Sequence, residues 1–120
     1  DDNGNGAPID WKRARTTVGG DDNLLRELLS VYEGETRGLL DEMQAALEQE
    51  DRRTLKRAAH TLKGASLSVG AISTSETAQQ LESFRDEQDL QEAKSVYAEL
   101  ESAVRQVHDA ARAFLGSADA

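Results

Sequence analysis

The chain lacks cysteine, has a single proline and carries few aromatic residues, with one Trp, two Tyr and two Phe among 120 residues. The absence of cysteine excludes disulfides and thiolate metal sites, and it is compatible with a reducing compartment. No apolar run is long enough to span a bilayer, and no signal-peptide pattern occurs. A Walker loop and a His-Glu-x-x-His pair are also missing, so nucleotide binding and metal-dependent hydrolysis lack their residues.

What the chain does have is charge, most of it acidic. Charged residues make up 31% of the sequence and the net charge is −9, which argues against contact with nucleic acid or with anionic membranes. The sign is uneven, because no acidic residue falls between Asp51 and Glu76 while five basic residues do: Arg52, Arg53, Lys56, Arg57 and Lys63. A solvated helix face accounts for such a cluster by itself, but beside an exposed histidine it also suits a phosphate or an acidic partner.

The length and an apolar content of 38% fit one domain with a modest core. Residues 1–7 are rich in acidic residues and glycine, and they are expected to be a disordered lead-in. Since the chain does not begin with methionine, we expect it to be either a processed chain or a piece of a longer protein. We assign residues 8–116 to the folded domain and residues 117–120 to a short tail.

The spacing of apolar residues predicts five helices and no strand. The predicted starts are marked by proline or by capping residues: Pro8, the Asp21-Asp22 cap, Asp51, and the Ser73–Glu76 and Asp89–Glu92 capping boxes. The ends predicted for four of the helices are Val18 (before Gly19-Gly20), Gln49, Gly70 and Gly116. Four amphipathic helices with short connections bury their stripes most simply as an antiparallel up-down-up-down four-helix bundle. The predicted fold is therefore all-α, with the short first helix at one end.

His60 is one of two histidines, and its position on the third helix predicts exposure. The buried seam of that helix is predicted to be Leu55, Ala59, Leu62, Ser66 and Val69. At about 100° per residue, His60 lies well over 90° from the middle of this seam. Lys63 and Gly64 lie one turn from His60 on the same outer side, so the three form one patch. His108, by contrast, lies beside the stripe of the fifth helix and is expected to fill a margin of the core.

This patch suits a histidine that meets another protein and briefly holds an anion. Gly64 costs helix stability, about 1 kcal/mol relative to alanine, but it leaves room for a partner to approach the ring. Lys63 can pair with a phosphoryl group on the imidazole. Basic and apolar neighbours are candidate partner-docking residues: Lys56, Arg57, Leu67 and Ala71. The common alternatives are a structural or merely exposed histidine and a solvated lysine.

The chain is similar, from Ile9 to about Leu115, to the histidine-containing phosphotransfer (HPt) domains of multistep two-component signalling. The segments that carry the resemblance are Val18-Gly19-Gly20-Asp21, Leu24 to Leu29, Ala46-Leu47, Ala59-His60-Thr61-Leu62-Lys63-Gly64-Ala65-Ser66, Val69-Gly70-Ala71 and Leu81-Glu82. The stretch around His60 is the specific one, whereas the first glycine-containing segment alone would be weak.

The resemblance implies that His60 accepts a phosphoryl group from a receiver-domain aspartate and passes it to another receiver. Lys63 would neutralise the phosphoryl group and Gly64 would leave space for the receiver. The resemblance also implies no cofactor of the domain's own, since Mg²⁺ is expected on the receiver, and no autonomous kinase or ATPase activity. Attack is expected from Nε2 of the imidazole, with the other ring nitrogen free to solvent.

The partners implied are receiver domains of response regulators or of a hybrid sensor histidine kinase. We expect a monomer in the cytoplasm, either free or as the cytoplasmic end of a membrane-bound hybrid kinase, with no membrane contact of its own. Three alternatives stay open. The domain could be the phosphoacceptor of a chemotaxis-type histidine kinase, fed by an ATP-binding domain. It could also be a helical adapter without phosphoryl chemistry, or a purely structural bundle in which His60 has no role.

Overall fold

The computed structural model describes residues 7–85 and 89–118 and contains five helices within those ranges. They are α1 (Trp11–Thr17), α2 (Asp22–Glu48), α3 (Arg52–Ser68), α4 (Ile72–Glu82) and α5 (Leu90–Ala118). No strand occurs in the described ranges, so the all-α prediction is confirmed. The predicted lead-in lies outside the described residues except for Ala7. Helix α5 takes in the first two residues of the predicted tail, and the last two lie outside the described ranges.

The four long helices form a closed ring of contacts. Each helix from α2 to α5 packs against the next one along the chain, and α5 returns to contact α2. Because consecutive neighbours are joined by short connections, they run antiparallel, as predicted for an up-down-up-down bundle. Helix α1 lies at one end, where the Asp10 backbone N–H donates to the carbonyl of Gly70 at 2.8 Å.

Two apolar clusters fill the bundle, one on each side of its middle. One is built on Met43, Leu62, Leu81 and Leu100, and the other, at the end that α1 covers, on Ile9, Leu25, Leu29, Val69 and Val107. Buried polar contacts join the helices between them. The Tyr32 hydroxyl lies 3.0 Å from the hydroxyl of Ser66, which ties α2 to α3, and burial raises the pKa of Tyr32 to about 12. These contacts set the level at which α2 and α3 face each other.

Aspartate side chains cap the starts of α1, α2 and α3. The Asp21 and Asp51 side chains accept from the backbone N–H groups of Leu24 and Thr54, each at 3.1 Å, so these two predicted caps are confirmed. The predicted start at Pro8 is wrong. The helix begins at Trp11 and Asp10 caps it instead, accepting from the Arg13 N–H at 3.2 Å. The N–H groups of the first turn have no partner within the helix, so the residue directly before that turn is the one that can satisfy them.

The predicted Ser73–Glu76 capping box is also wrong. Helix α4 begins at Ile72, after Ala71, with no side-chain cap. The reason is the tightness of the preceding turn: Gly70 adopts φ 77°, and the Ala71 N–H donates back to the Ser66 carbonyl at 2.8 Å. The chain therefore enters the next helix at once, and Ser73 already lies inside its first turn.

At α5, the Asp89 side chain accepts from the Gln91 N–H at 3.0 Å, so this residue marks the helix start as predicted. The helix continues through Gly116, its predicted end, to Ala118. None of the described helices is both long and apolar enough to cross a membrane.

Candidate functional site

The structure places His60 on the solvent side of α3. The residues predicted as the seam of this helix are all buried: Leu55, Ala59, Leu62, Ser66 and Val69. The His60 side chain is 66% exposed. An imidazole in this position is accessible to a second protein without any movement of the core.

A hydrogen bond from α4 orients the His60 ring. Its Nδ1 lies 2.6 Å from Oε2 of Glu82, so the expectation that this nitrogen is free to solvent is wrong. An ionised carboxylate only accepts hydrogen bonds, and Nδ1 must therefore carry the proton. In a neutral ring this leaves the lone pair on Nε2, the nitrogen that does not face Glu82.

Lys63 is held by the same carboxylate. Its ammonium lies 2.7 Å from Oε1 of Glu82 and donates to Oε1 of Gln79 at 2.9 Å. The Gln79 amide in turn donates to the Ser83 hydroxyl at 2.7 Å. The hydrogen bond from Lys63 is the main reason that the pKa of Glu82 lies below its usual value, with the bond from His60 adding to it and desolvation opposing it. Glu82 is therefore ionised at neutral pH.

Gly64 leaves the surface beside His60 bare. Its backbone is helical, and apart from its chain neighbours and the adjacent backbone of α3, no heavy atom lies within 4 Å of the position that a Cβ would occupy. No contact within the fold requires glycine here. The small residue thus costs the helix about 1 kcal/mol and opens space above α3.

The structure brings most, but not all, of the predicted docking residues to this face. Leu67 is 37% exposed, and Arg57 is exposed and paired with Glu42 of α2 at 3.6 Å. Lys56 is half-buried. Ala71 does not belong to the surface: it is fully buried in the cluster under α1, because it forms the turn from which α4 starts.

Two site residues on α4 were not singled out from the sequence. Glu82 follows His60 by 22 positions and Gln79 follows Lys63 by 16, so their proximity depends on how α3 and α4 align. No spacing within one helix reveals such a pair. The only available signal was the presence of Leu81-Glu82 among the segments that carry the resemblance.

The second histidine has the structural role predicted for it. His108 is 7% exposed, and its Nε2 lies 2.8 Å from the Thr36 hydroxyl across the α2–α5 interface. Its ring meets that of Tyr32 edge-on at 5.9 Å. Within the described residues, no group of three or more His, Cys, Asp or Glu side chains could hold a metal ion.

Comparisons with known proteins agree with this geometry. The family model described as "Hpt domain" matches residues 27–112. The fold is similar to the crystal structure of the HPT domain from a sensor hybrid histidine kinase of Shewanella. That match has a TM-score of 0.79 and 24% identity, and it covers 92% of this chain and 95% of the other. A comparison with curated protein sequences finds no match.

The family match covers well over half of the chain, and the chain belongs to the Hpt domain family. It has a histidine phosphotransfer role in a two-component phosphorelay, in which Hpt domains interact with receiver domains. Hpt domains are phosphotransfer modules that generally lack cofactors.

Proposed function

We propose that His60 is the residue that accepts and donates the phosphoryl group. The observation that supports this assignment is the bond between its Nδ1 and the ionised Glu82, on an imidazole that is otherwise exposed. This arrangement keeps a neutral ring in one tautomer and presents Nε2 as the nucleophile. His108 is the alternative histidine, but it is buried against Thr36 and lies out of reach of a docked protein.

The transfer follows from this geometry. A receiver domain brings its aspartyl phosphate to the α3 face, and Nε2 of His60 attacks the phosphorus in line. The N–P bond forms as the P–O bond to the aspartate breaks, and the carboxylate is the leaving group. Catalysis rests on positioning and charge stabilisation, with Mg²⁺ supplied by the receiver. The ring becomes positively charged when it is phosphorylated, and Glu82 compensates that charge through Nδ1–H.

Lys63 and Gly64 have supporting roles in the proposal. The Lys63 ammonium is one turn from His60, where it can form a charge-assisted hydrogen bond with the incoming phosphoryl oxygens. Gly64 leaves the approach to the ring clear. Neither residue belongs to the buried core, and both lie on the face that a receiver would approach.

We infer that the domain, residues 8–116, acts as a monomer in the cytoplasm. It would be either a free protein or the cytoplasmic end of a membrane-bound hybrid kinase. The receivers would belong to response regulators or to the hybrid kinase itself. The acidic overall charge supports the absence of nucleic acid and of anionic membrane surfaces among its partners.

The test is incubation with a panel of radiolabelled phospho-receivers. Wild type should acquire acid-labile, base-stable label, His60→Gln should acquire none, and both should unfold at similar temperatures. His108→Gln is the matched control and should still be labelled. Label that persists in His60→Gln would contradict the assignment. Label that comes only from an ATP-fed kinase domain, and from no receiver, would favour the chemotaxis-type alternative.

A further inference from the structure

A cleft between α2 and α5 lies at a different helix pair from His60, which is on α3 and contacts α4. It has a volume of about 200 Å³, and its charged and titratable lining consists of Arg37 of α2 with Glu101, Arg105, His108, Asp109 and Arg112 of α5. Its buried side is formed by Val104 and His108, and the three arginine side chains are more than half exposed. Sites for organic ligands are generally larger, about 300–1,000 Å³, so the cleft suits a small ion.

Beside the cleft, a single carboxylate pairs with two guanidinium groups. Oε2 of Glu33 accepts from Arg37 at 2.8 Å and also from Arg112. The bond from Arg112 is the main reason that the pKa of Glu33 lies below its usual value, so Glu33 is ionised at neutral pH. Two positive charges are thus held close together around one negative charge, and like charges at short range repel each other. A second anion at this place would relieve that repulsion.

The guanidinium groups of the cleft have N–H donors beyond those that bond to Glu33. A guanidinium has five N–H donors, and one nitrogen each of Arg37 and Arg112 bonds to this carboxylate. Arg105 lies 4.0 Å from Oε2 of Glu101, which is longer than a hydrogen bond. An anion with several oxygens can accept charge-assisted hydrogen bonds from donors of this kind.

The formal charges around the cleft are balanced, with Glu33, Glu101 and Asp109 opposite the three arginines. Asp109 is exposed, and water and salt screen exposed charges. The attraction for an anion therefore depends on the positions of the guanidinium donors and not on an excess of positive charge.

We propose that this α2–α5 cleft is a binding site for a small tetrahedral oxyanion, inorganic phosphate, held by the N–H groups of Arg37, Arg105 and Arg112. Three guanidinium groups on two helices can each donate to a different oxygen of a tetrahedral ion, whereas a carboxylate offers only two oxygens. The bound ion would link α2 to α5 without contact with His60. The site is therefore separate from the phosphoryl transfer proposed above.

The experiment is a titration of the full chain with inorganic phosphate at constant ionic strength, followed by proton–nitrogen correlation NMR of the arginine Nε–H groups. We expect the signals of Arg37, Arg105 and Arg112 to shift and to saturate, with half-saturation below about 10 mM. Sodium chloride should not reproduce these shifts. Acetate should bind at least fivefold more weakly than phosphate, because it has one oxygen too few for three arginines.

Two matched pairs of variants test the position of the site. Arg105→Gln should weaken phosphate binding at least fivefold, whereas Arg13→Gln, at an exposed arginine of α1, should leave it within twofold. Glu101→Gln should strengthen binding at least twofold, and Glu99→Gln, at an exposed residue of the same helix, should not change it. The two members of each pair change the net charge equally, so a difference between them reports position and not overall charge.

Three results would overturn the assignment. Shifts that increase linearly with phosphate, or equal effects within either pair of variants, would show unspecific attraction. Acetate binding as tight as phosphate binding would show that the cleft does not select a tetrahedral ion. Saturable shifts confined to the signals of His60 and Lys63 would place the ion at the phosphosite instead. None of these measurements involves a receiver, so the proposed function stands or falls separately.

Discussion

Glu82 is the residue on which the geometry of the proposed site depends most. Its two carboxylate oxygens lie within 2.7 Å of donors on two different side chains, His60 and Lys63. An amide has one acceptor oxygen and one NH2 group. If the oxygen of a glutamine at this position accepts from Lys63, its NH2 group can donate to Nδ1 of His60 only when the ring carries its proton on Nε2 instead. Glu82 thus holds the ring tautomer of His60, and together with Gln79 it holds the ammonium of Lys63.

Glu82→Gln should therefore slow phosphorylation of His60 about tenfold, since a hydrogen bond to a charged group contributes about 1.5 kcal/mol or more. The measurement is the initial rate of label transfer from a phospho-receiver. Glu99→Gln removes a charge from the exposed face of α5 and should transfer at the wild-type rate. A Glu82→Gln variant as fast as wild type would mean that this carboxylate does not set the tautomer.

The same residue marks the limit of what the sequence predicts about the site. His60, Lys63 and Gly64 lie within about one turn of a single helix, so helical geometry alone places them together. Glu82 and Gln79 join them only through the alignment of α3 and α4, which depends on the core packing and on the turn at Gly70. Ala71, predicted as a surface residue, is buried. Helical periodicity does not predict its burial, because the residue lies in a turn and not within a helix.

At the scale of the elements, capping residues predict some helix starts correctly and others wrongly. Asp21 and Asp51 cap helices because each precedes a clear amphipathic run. Ser73 and Glu76 are the residue types of a capping box, but α4 begins before them. The left-handed Gly70 and the hydrogen bond from the Ala71 N–H to the Ser66 carbonyl make a tight turn that starts the helix earlier. The turn itself is held by a tertiary contact, the hydrogen bond from the Asp10 N–H to the Gly70 carbonyl, which the capping motif does not reveal.

A comparison of Gly70 with Gly20 separates two reasons for glycine in a turn, the left-handed backbone and the lack of space for a side chain. Both have positive φ, 77° and 82°, but a Cβ on Gly70 would lie 2.6 Å from the Asp10 carbonyl oxygen, whereas Gly20 has open space. Gly20→Ala should lower the free energy of unfolding by about 1–2 kcal/mol for the left-handed backbone alone. Gly70→Ala should cost clearly more, as measured by urea unfolding. Equal losses would show that α1 shifts without cost.

Gly64 gives the complementary prediction, in which stability and function move in opposite directions. Gly64→Gln should stabilise α3 by up to about 1 kcal/mol, because glycine is the poorer helix former, while transfer from a receiver falls. Gly34→Gln, at another exposed helical glycine where a Cβ would meet nothing within 4 Å beyond its chain neighbours and the adjacent helix backbone, should give a similar stabilisation and normal transfer. Thermal unfolding and label transfer on the same samples provide the check. Normal transfer to Gly64→Gln would refute the account of this glycine.

For the molecule as a whole, the buried contact between His108 of α5 and Thr36 of α2 makes the free energy of unfolding depend on pH. Burial is the main reason that the pKa of His108 lies below its usual value; Arg37 and Arg112 act in the same direction, and Glu33 and Asp109 oppose it. A group with a lowered folded-state pKa binds its proton more readily when unfolded. Stability is therefore retained above the unfolded value near 6.5 and lost as the pH falls below it.

The melting temperature should accordingly fall between about pH 7 and pH 5.5, and this dependence should be weaker in His108→Gln than in wild type. Glu33, Asp51 and Glu82 do not interfere, because each has a lowered pKa and loses its contribution only in more acidic solution. Carrying out both melts in a His60→Gln background removes the other histidine. Parallel curves for the two proteins would show that His108 is not the group that titrates.

The pairing of Lys63 with Glu82 bears on the reversibility of phosphoryl transfer. A phosphoryl carrier has to donate the phosphoryl group as readily as it accepts it. A lone ammonium beside the phosphohistidine would attract the dianion with its full charge and turn the domain into a sink. In the proposed mechanism, the Glu82 carboxylate already offsets that ammonium. The phosphorylated and unphosphorylated states would then lie closer in free energy, and the domain could pass to one receiver the phosphoryl group that it accepted from another.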